Sequence, residues 1–387
     1  MSTLALVAVS ARAMAEAAAR DGLGAVAIDL FGDLDTRRAS SAWLPAGPAG
    51  TLRIEAGTVL QALDRLARRG GVAGWVPGGG CEGQPELLQT GAALLPLIGC
   101  TPGSVQRVRD PQTFFSLLAA LGMAHPEIHF SRPADPQGWL LKDAQGCGGW
   151  HIRAAASVPA TEPLQPQHYF QRRAVGMPMS ATFIANGRRA CVLGCNALIV
   201  GPVGDRPLVY GGVVGPLALP ETEIRQIARC VDGLCAALGL RGLGSLDFLR
   251  SEHGELQVLE LNPRPPASLA LYGRRVRGGT MAAHIAACQH GQLPELAKPD
   301  PAACPVQGEQ IVFAPQVMEV DEAASALMPR WPDLHDLPPA GTRLAAGDPL
   351  CSVSAGGASA AEVRGRLARR AQALLQTLGA GPPPDRP

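Results

Sequence analysis

The sequence predicts a multidomain protein of mixed α/β and α+β class. In the N-terminal third, short apolar strands alternate with helices, which is typical of a parallel sheet whose two faces are covered. Further along, strand-like runs are joined by hairpin turns such as Asn186-Gly187, which favours antiparallel pairing. The chain has 387 residues, 47% of them hydrophobic, so it is long enough for two or three domains with their own cores.

The N-terminal elements alternate between strand and helix. Strands are predicted at residues 4–9, 25–30 and 73–76, and helices at residues 11–20 and 57–69. Ligands of such folds bind beyond the carboxyl ends of the strands, where Phe31-Gly32-Asp33 and the glycine-rich loop 78–83 are expected. Three glycines exceed what a tight turn needs, so we expect the second loop to face a substrate, with Glu82 meeting an amine. Plain connecting turns are the alternative for both loops.

The remaining elements are longer. Asp110 is predicted to cap a helix that begins at Pro111, because a carboxylate accepts the free backbone N–H groups and proline suits a first turn. Strands are predicted at residues 138–142, 169–173, 180–185, 243–250 and 255–261, and helices at residues 220–238 and 358–378. The Pro-rich stretch 291–304 is predicted to be a linker, and the tail 379–387 to be disordered.

Two paired strands late in the chain place acidic and amide side chains together. Side chains alternate along a strand, so Glu260 and Asn262 share one face, and Asp247 on the partner strand can lie opposite them. Their neighbours are apolar, and buried carboxylates are rare unless they are paired or bind a metal. Three hard oxygen donors suit Mg²⁺, and Arg264 adds a cation at the edge. A solvated polar face is the alternative.

Lysine is rare in this chain, where only Lys142 and Lys298 among the 34 basic residues are lysines. Lys142 ends an apolar strand and precedes a loop that contains Gly146, Gly148 and Gly149. Because glycines let backbone N–H groups approach phosphate oxygens and an ammonium group adds charge, this segment is predicted to bind phosphate. An exposed lysine beside a plain hairpin is the alternative, and the loop has neither P-loop nor dinucleotide-binding spacing.

Taken in order, these features resemble the ATP-grasp superfamily of ligases: a lysine strand, a glycine-rich loop, a hinge strand, and the segment Glu260-Leu261-Asn262-Pro263-Arg264. The resemblance is strongest over residues 104–270. It implies an ATP-grasp fold behind a Rossmann-like N-terminal domain, with ATP and Mg²⁺ as cofactors, or Mn²⁺ in place of Mg²⁺.

The resemblance also assigns roles to residues. It implies that Lys142 contacts phosphates, that the three glycines form a flexible lid, and that Arg264 contacts phosphate or an acyl phosphate. The residues implied to bind one or two metal ions are Asp247, Glu260 and Asn262.

The hinge strand departs from the family pattern. It runs from Gln171 through Arg172 and Arg173 to Gly176, and Val175 stands where the family often has a ribose-binding acid. The resemblance implies that backbone groups of Gln171, Arg172 and Arg173 hold adenine. Contact with the ribose must then come from elsewhere.

The resemblance and the predicted elements together divide the chain. Residues 1–103 form a Rossmann-like domain and residues 104–300 an ATP-grasp domain, with a lid subdomain at about 104–175 and a metal-binding subdomain at about 176–300. A C-terminal α+β extension covers residues 301–378.

The activity implied is that of an ATP-dependent carboxylate–amine ligase acting on small molecules through an acyl phosphate. The flanking segments look like those of proteins related to tyramine–glutamate ligase, in the biosynthesis of methanofuran-type cofactors. Carboxylation of the biotin-carboxylase kind and a non-catalytic nucleotide-binding regulator remain alternatives. Arg241 is a candidate to hold a substrate carboxylate, with an ordinary surface arginine as the alternative.

Composition narrows the other classes of function. A net charge of +1 provides no field for nucleic acid or membranes, and 4% aromatics argues against base stacking. No apolar run is long enough to span a membrane and no signal peptide is evident, so we expect a cytoplasmic enzyme, with a homodimer as the default. None of the ten cysteines forms a CxxC pair, which disfavours zinc. Cys147 is expected to be accessible but not nucleophilic, and His151 to be a loop residue.

Overall fold

The computed structural model describes residues 3–48, 50–297 and 305–379. It begins with a four-stranded parallel sheet in the order β3-β2-β1-β4. Its strands are β1 (Thr3–Val7), β2 (Gly24–Asp29), β3 (Ala42–Pro45) and β4 (Val72–Pro77). The helices between and after them are α1 (Arg12–Arg20), α2 (Leu34–Ala39), α3 (Ala56–Arg69) and α4 (Pro85–Leu94). The predicted covered parallel sheet is confirmed, since β1, β2 and helix α3 bury almost their whole apolar faces.

A small antiparallel sheet follows. Two helices, α5 (Pro102–Arg109) and α6 (Pro111–Ala120), lead into it, and the Asp110 side chain accepts the backbone N–H of Thr113 at 3.2 Å as the predicted cap of α6. The sheet order is β5-β8-β6-β7. Its strands are β5 (Ile128–His129), β6 (Trp139–Asp143), β7 (Arg153–Ala154) and β8 (His168–Arg172).

The largest sheet has eight antiparallel strands in the order β13-β12-β9-β10-β11-β14-β18-β16. Its first five strands in the chain are β9 (Met177–Asn186), β10 (Ala190–Val203), β11 (Arg206–Leu217), β12 (Arg241–Arg250) and β13 (Leu256–Asn262). The turn between β9 and β10 is the predicted Asn186-Gly187 turn, in which Gly187 has φ 90°. The helices in this part are α7 (Glu221–Leu238) and α8 (Thr280–His290).

The largest sheet contains strands from both sides of residue 300. Strand β14 (Val306–Phe313) pairs with β11, so part of the C-terminal segment extends the large sheet. The strands beyond β14 are β15 (Met318–Val320), β16 (Leu334–His335), β17 (Thr342–Leu344) and β18 (Pro349–Gly357). Of these, β15 and β17 pair in a separate two-stranded sheet. The helices are α9 (Glu322–Leu327) and α10 (Ala360–Thr377). Most of the predicted tail and part of the predicted linker lie outside the described residues.

The N-terminal part packs against the rest through polar and apolar contacts. Asp21, which follows α1, accepts the backbone N–H groups of Met281 and Ala282 at 2.7 and 3.0 Å and so caps helix α8. A single apolar core runs from the parallel sheet through α5 and α6 to α7 and β13. Across the described residues, no helix has the length and apolar character needed to cross a bilayer.

Candidate active site

The hairpin of β12 and β13 brings the predicted metal ligands together. In its register Asp247 faces Glu260 and Ser245 faces Asn262, and the pairing shifts immediately after Asp247. The Asn262 amide nitrogen donates to Asp247 Oδ2 at 3.1 Å and to Glu260 Oε1 at 3.4 Å. The two-residue period of a strand puts Glu260 and Asn262 on one face, and antiparallel pairing adds Asp247.

The two carboxylates differ in charge state because their surroundings differ. Burial, with the charge of Glu260 beside it, raises the pKa of Asp247 to about 7. Burial would also raise the pKa of Glu260, but the charges of Lys142 and Arg109 lower it to about 2. A cation bound between the two carboxylates would remove the repulsion between their negative charges.

Lys142 reaches this pair from the small sheet. It lies on β6, and its buried ammonium donates to Gln171 Oε1 at 3.2 Å and lies 3.7 Å from Glu260 Oε2. Burial would lower the pKa of Lys142, but Tyr169 and Glu260 raise it above its ordinary value, so the side chain is a cation. The structure therefore sets the ammonium group directly opposite the acidic hairpin.

The glycine-rich loop after β6 packs against strand β11 and against the ring of His151. Gly148 and Gly149 have φ 63° and 80°, which side chains rarely allow, and the Gly148 carbonyl accepts the Tyr210 N–H at 3.0 Å. A Cβ on Gly149 would clash with the Leu208 carbonyl. Gly146 has no positive φ, but a Cβ there would overlap the His151 ring. The loop is thus held down on strand β11.

Arg264 enters the site beside the hairpin and pairs with Glu82. Arg264 Nε donates to Glu82 Oε1 at 3.1 Å, and Glu82 Oε2 accepts the Gly80 N–H at 2.7 Å. Burial would raise the pKa of Glu82, but Arg264 and Arg109 hold it below its ordinary value. The sequence predicts that Glu82 meets an amine substrate. In the structure the carboxylate of Glu82 forms an ion pair with Arg264, because the loop after β4 lies directly against that guanidinium.

Three buried side-chain nitrogens near the site were given no role from the sequence, although the backbone of Gln171 was predicted to hold adenine. Arg109, at the end of α5, donates to the Gly146 carbonyl, and its buried Nε has no partner among the described residues. His151 Nδ1 and Gln171 Nε2 are likewise buried without partners in that part of the chain. Burial lowers the pKa of His151 to about 4, so the ring is neutral. Arg109 could have been suspected, because it directly precedes the Asp110 cap.

The hinge strand offers less than the sequence indicated. The N–H groups of Arg172 and Arg173 already donate to the Glu127 and Gly138 carbonyls at 2.8 Å each, because β8 is flanked on both sides. The Arg172 guanidinium lies over the Trp139 ring, 5.5 Å from its centroid, and Val175 is exposed. Of the three hinge residues, only Gln171 contacts the site, through its side chain.

Arg241 lies far along β12 from the other candidate site residues. It starts β12, opposite Asn186, whereas Asp247 lies opposite Ser180 on the same pair of strands. Six residues of strand separate the two by about 20 Å. The Arg241 guanidinium donates to the Cys288 carbonyl at 3.3 Å, beside helix α8.

Cys147 is half-buried rather than open. Burial and the charge of Glu82 raise the pKa of its thiol to about 11, so the thiol is protonated at neutral pH. That state agrees with the prediction that Cys147 is not a nucleophile.

The donor set at the hairpin fits a hard divalent cation. Two carboxylates and a side-chain amide converge there. The amide nitrogen of Asn262 donates to both acids, and its oxygen, the atom that would bind the cation, accepts from Arg264 Nη2 at 3.4 Å. The unpartnered Nε2 of Gln171 and Nε of Arg109 are donors suited to phosphate oxygens beside that ion.

Comparison with protein families finds one match. Residues 110–268 match the family model of the ATP-grasp domain. The matched segment contains Lys142, the glycine-rich loop and the acidic hairpin, and it ends just after Arg264. No curated protein matches the sequence significantly.

Solved structures share the fold over nearly the whole chain. An L-amino acid ligase from Bacillus licheniformis superposes with a TM-score of 0.67 at 14% identity, covering 95% of this chain and 96% of that one. An N5-carboxyaminoimidazole synthetase from Staphylococcus aureus has a TM-score of 0.63 at 12% identity, covering 95% and 97%. A biotin carboxylase domain from Hydrogenobacter thermophilus, solved with MgADP and bicarbonate, has a TM-score of 0.68 at 13% identity, covering 97% and 89%. At these identities the likeness establishes the ATP-grasp fold.

Proposed function

We propose that this protein, whose residues 110–268 form an ATP-grasp domain, is an ATP-dependent ligase that joins a small carboxylic acid to an amine. One observation carries the proposal. Lys142 on β6 and the acidic hairpin come from separate sheets and face each other across one cleft, with Lys142 Nζ 3.7 Å from Glu260 Oε2, and Arg264 directly follows the hairpin. The domain match supports the ligase class, and the L-amino acid ligase that shares the fold supports the carboxylate–amine reaction.

The cations of the cleft would bind the phosphates of ATP. Lys142 supplies an ammonium, Arg109 a buried guanidinium with an unused N–H, and the loop that contains Gly148 and Gly149 supplies backbone N–H groups. Gln171 would offer its unpartnered amide nitrogen to the same ligand. Binding of adenine by backbone groups of Gln171, Arg172 and Arg173 stays a prediction.

Asp247, Glu260 and Asn262 would hold Mg²⁺, or Mn²⁺ in its place. When bound, such an ion neutralises phosphate charge and fixes the phosphates for in-line transfer. Deprotonation of Asp247 would be favoured by the arriving positive charge, since burial and the charge of Glu260 raise its pKa to about 7.

The chemistry explains why a cleft of fixed cations is needed. A carboxylate is a poor electrophile, and transfer of the γ-phosphoryl group of ATP to it forms an acyl phosphate and ADP. The amine then attacks the acyl carbon, and the C–O bond to phosphate breaks to give an amide and inorganic phosphate. Arg264, which Glu82 holds in place, would stabilise the phosphate oxygens, and the loop on β11 would exclude water.

The direct test measures ADP release with Mg²⁺ against a panel of carboxylic acids, amines and bicarbonate. A ligase requires one acid and one amine together. A requirement for bicarbonate alone would favour the carboxylase alternative, and no ADP release with any substrate would favour a regulator. Lys142→Ala and Glu260→Gln are expected to abolish turnover with the fold intact, whereas Glu255→Gln, an exposed change beside the same strand, is expected to leave it unchanged. Wild-type rates in the first two variants would refute the assignment.

The finer predictions extend this proposal. Glutamate and tyramine belong in the panel, because resemblance to the tyramine–glutamate ligase group predicts both as substrates in the biosynthesis of a methanofuran-type cofactor. A cytoplasmic location and a homodimer stay predictions, which fractionation and sedimentation measurements would check.

A further inference from the structure

A second group of charged side chains lies beside the active site, between the N-terminal sheet and the C-terminal strands. We call it the acidic cluster, and it consists of Arg12, Glu16, Asp33, Glu309 and Asp336. Arg12 follows β1, Asp33 follows β2, Glu309 lies on β14, and Asp336 follows β16. Arg12 and Asp33 thus lie beyond the carboxyl ends of two parallel strands, where folds of this kind bind ligands, and Glu309 and Asp336 reach Arg12 from the antiparallel sheet.

The guanidinium of Arg12 is fully used inside the cluster. Its Nη1 donates to Glu16 at 3.1 Å, its Nε to Asp336 at 2.9 Å, and its Nη2 to Glu309. One cation thus serves three carboxylates. It has no free edge to offer to the carboxylate of a ligand.

Asp33 is the carboxylate that this arrangement leaves over. Its side chain is 4% exposed, yet in the described part of the chain it receives neither a hydrogen bond nor an ion pair. The backbone around it is fixed, because the Leu34 N–H donates to the Leu337 carbonyl at 2.8 Å and Asp35 accepts the Asp336 and Leu337 N–H groups. Burial and the charge of Asp336 raise the pKa of Asp33 well above its ordinary value. An acid without a partner beside other acids favours a ligand that carries positive charge.

Strand β11 runs past both the acidic cluster and the active site. Its Tyr210 N–H donates to the Gly148 carbonyl in the glycine-rich loop at 3.0 Å, and its Val213 pairs with Glu309 of the cluster. The charges of Glu309 and Asp247 both act to raise the pKa of the buried Tyr210 phenol. A small molecule held at the acidic cluster would therefore lie near the place where phosphoryl transfer is proposed.

We infer that the acidic cluster binds the ammonium group of the acceptor, and that this acceptor is a primary amine with no carboxylate next to its nitrogen. The inference rests on the proposed ligase function. An ammonium group has three donors for Asp33, Glu309 and Asp336, and it supplies the charge that Asp33 lacks. An α-amino acid would bring a second negative group to walls whose one guanidinium is already occupied, so it is excluded by repulsion.

A divalent metal ion is the competing occupant. Single ligand atoms of Glu16, Asp35 and His335 lie within 4.8 Å of one another. Asp35, however, already accepts the N–H groups of Thr36, Asp336 and Leu337. His335 is paired at Nε2 with Ser354 at 2.9 Å. Asp33 lies outside this group of possible metal ligands and has no partner of its own among the described residues, which favours an occupant that brings hydrogen-bond donors to it.

The test is calorimetric binding without ATP, using the full chain and four matched pairs of probes. Each pair is an α-amino acid and the amine that its decarboxylation would give: alanine and ethylamine, leucine and 3-methylbutylamine, phenylalanine and 2-phenylethylamine, ornithine and putrescine. At least one amine should bind about tenfold more tightly than its amino acid, as expected for one charge-assisted hydrogen bond. Asp33→Asn should weaken that amine about tenfold, and Asp64→Asn, on the surface of α3, should not.

Several outcomes overturn the inference: no amine binds, the amino acids bind as tightly as the amines, or Asp33→Asn changes nothing. Binding of Mn²⁺ alone at the cluster, lost in Asp33→Asn, would also overturn it in favour of a metal site. The readout is separate from ligation. Binding of an amine through Asp33 without any ATP turnover would sustain this inference and refute the ligase. Amide formation that Asp33→Asn leaves unaffected, in both KM for the amine and kcat, would do the reverse.

Discussion

Glu82 and Arg264 join the N-terminal loop after β4 to the end of β13, and their pairing can be measured as a coupling energy. The joined atoms are 3.1 Å apart, and the side chains are 2% and 16% exposed. At an effective dielectric constant of about 20, charges at that distance attract by about 5 kcal/mol, before the cost of removing both from water. Breaking such a buried pair from one side costs about 3 to 5 kcal/mol, because the remaining charge is left unpaired.

Glu82→Gln is therefore expected to lower the free energy of unfolding by about 3 kcal/mol. The introduced amide keeps the shape of the side chain but leaves Arg264 buried without a counterion. Urea denaturation followed by circular dichroism measures the change. Glu86→Gln is the matched control, since Glu86 is exposed on the neighbouring helix and its loss should change the stability by less than about 0.5 kcal/mol.

The double variant Glu82→Gln with Arg264→Met decides whether the charges interact. Removing both leaves no stranded charge, so its cost should be smaller than the sum of the single costs by about 2 kcal/mol. Additivity within about 0.5 kcal/mol would show that the two groups act independently. The account of Glu82 as the residue that steadies Arg264 would then be wrong.

Three further predictions concern other parts of the molecule. Arg241→Ala should leave kcat and KM within about twofold of the wild-type values, because Arg241 lies far along β12 from the site; a loss of more than about tenfold in kcat/KM would contradict that placement. Gly149→Ala should raise the KM for ATP by about tenfold, because Gly149 has a φ of 80° and the new methyl group clashes with the Leu208 carbonyl. Gly201→Ala, with open space around it, serves as the control. Equal KM values for ATP in the two variants would show that the loop need not lie on β11. Burial lowers the pKa of His284 from an unfolded value of 6.5 to about 4, so between these pH values the unfolded chain binds more protons than the folded one. The free energy of unfolding should therefore fall by about 1.5 kcal/mol from pH 6.5 to pH 5, measured by urea unfolding at both values. The same fall in His284→Gln would exclude this residue as its cause.

The parts of the site that sequence could predict are local in the chain. Asp247, Glu260 and Asn262 belong to one hairpin, so the two-residue period and one turn suffice to place them together. Lys142 stands out because lysine is rare in this chain. The helices that were predicted, such as α1, α3, α7 and α10, end within one or two residues of their expected bounds, because apolar spacing and caps depend on neighbouring residues, whereas α2, α4, α5, α8 and α9 were not predicted.

The parts that sequence could not predict depend on distant pairings. Glu82 meets Arg264 across 182 positions, and Arg12 meets Asp336 across 324, distances over which neither periodicity nor spacing carries information. Arg241 shares a strand with Asp247, but only the length of that strand shows that the two are far apart. The hinge N–H groups are occupied because β8 has neighbours on both sides, which depends on the order of the sheet.

Because β11 pairs with β14, the sheet that carries the acidic hairpin depends on the last quarter of the chain. A fragment that stopped before residue 305 would bare the backbone N–H and C=O groups along one side of β11, from Gly212 to Gly215. Such an open margin recruits strands from other molecules, so the shortened protein should precipitate or exchange segments between copies. It would also lose Glu309, and with it one wall of the acidic cluster. Expression boundaries for this protein should accordingly include helix α10, which lies over β14 and β18.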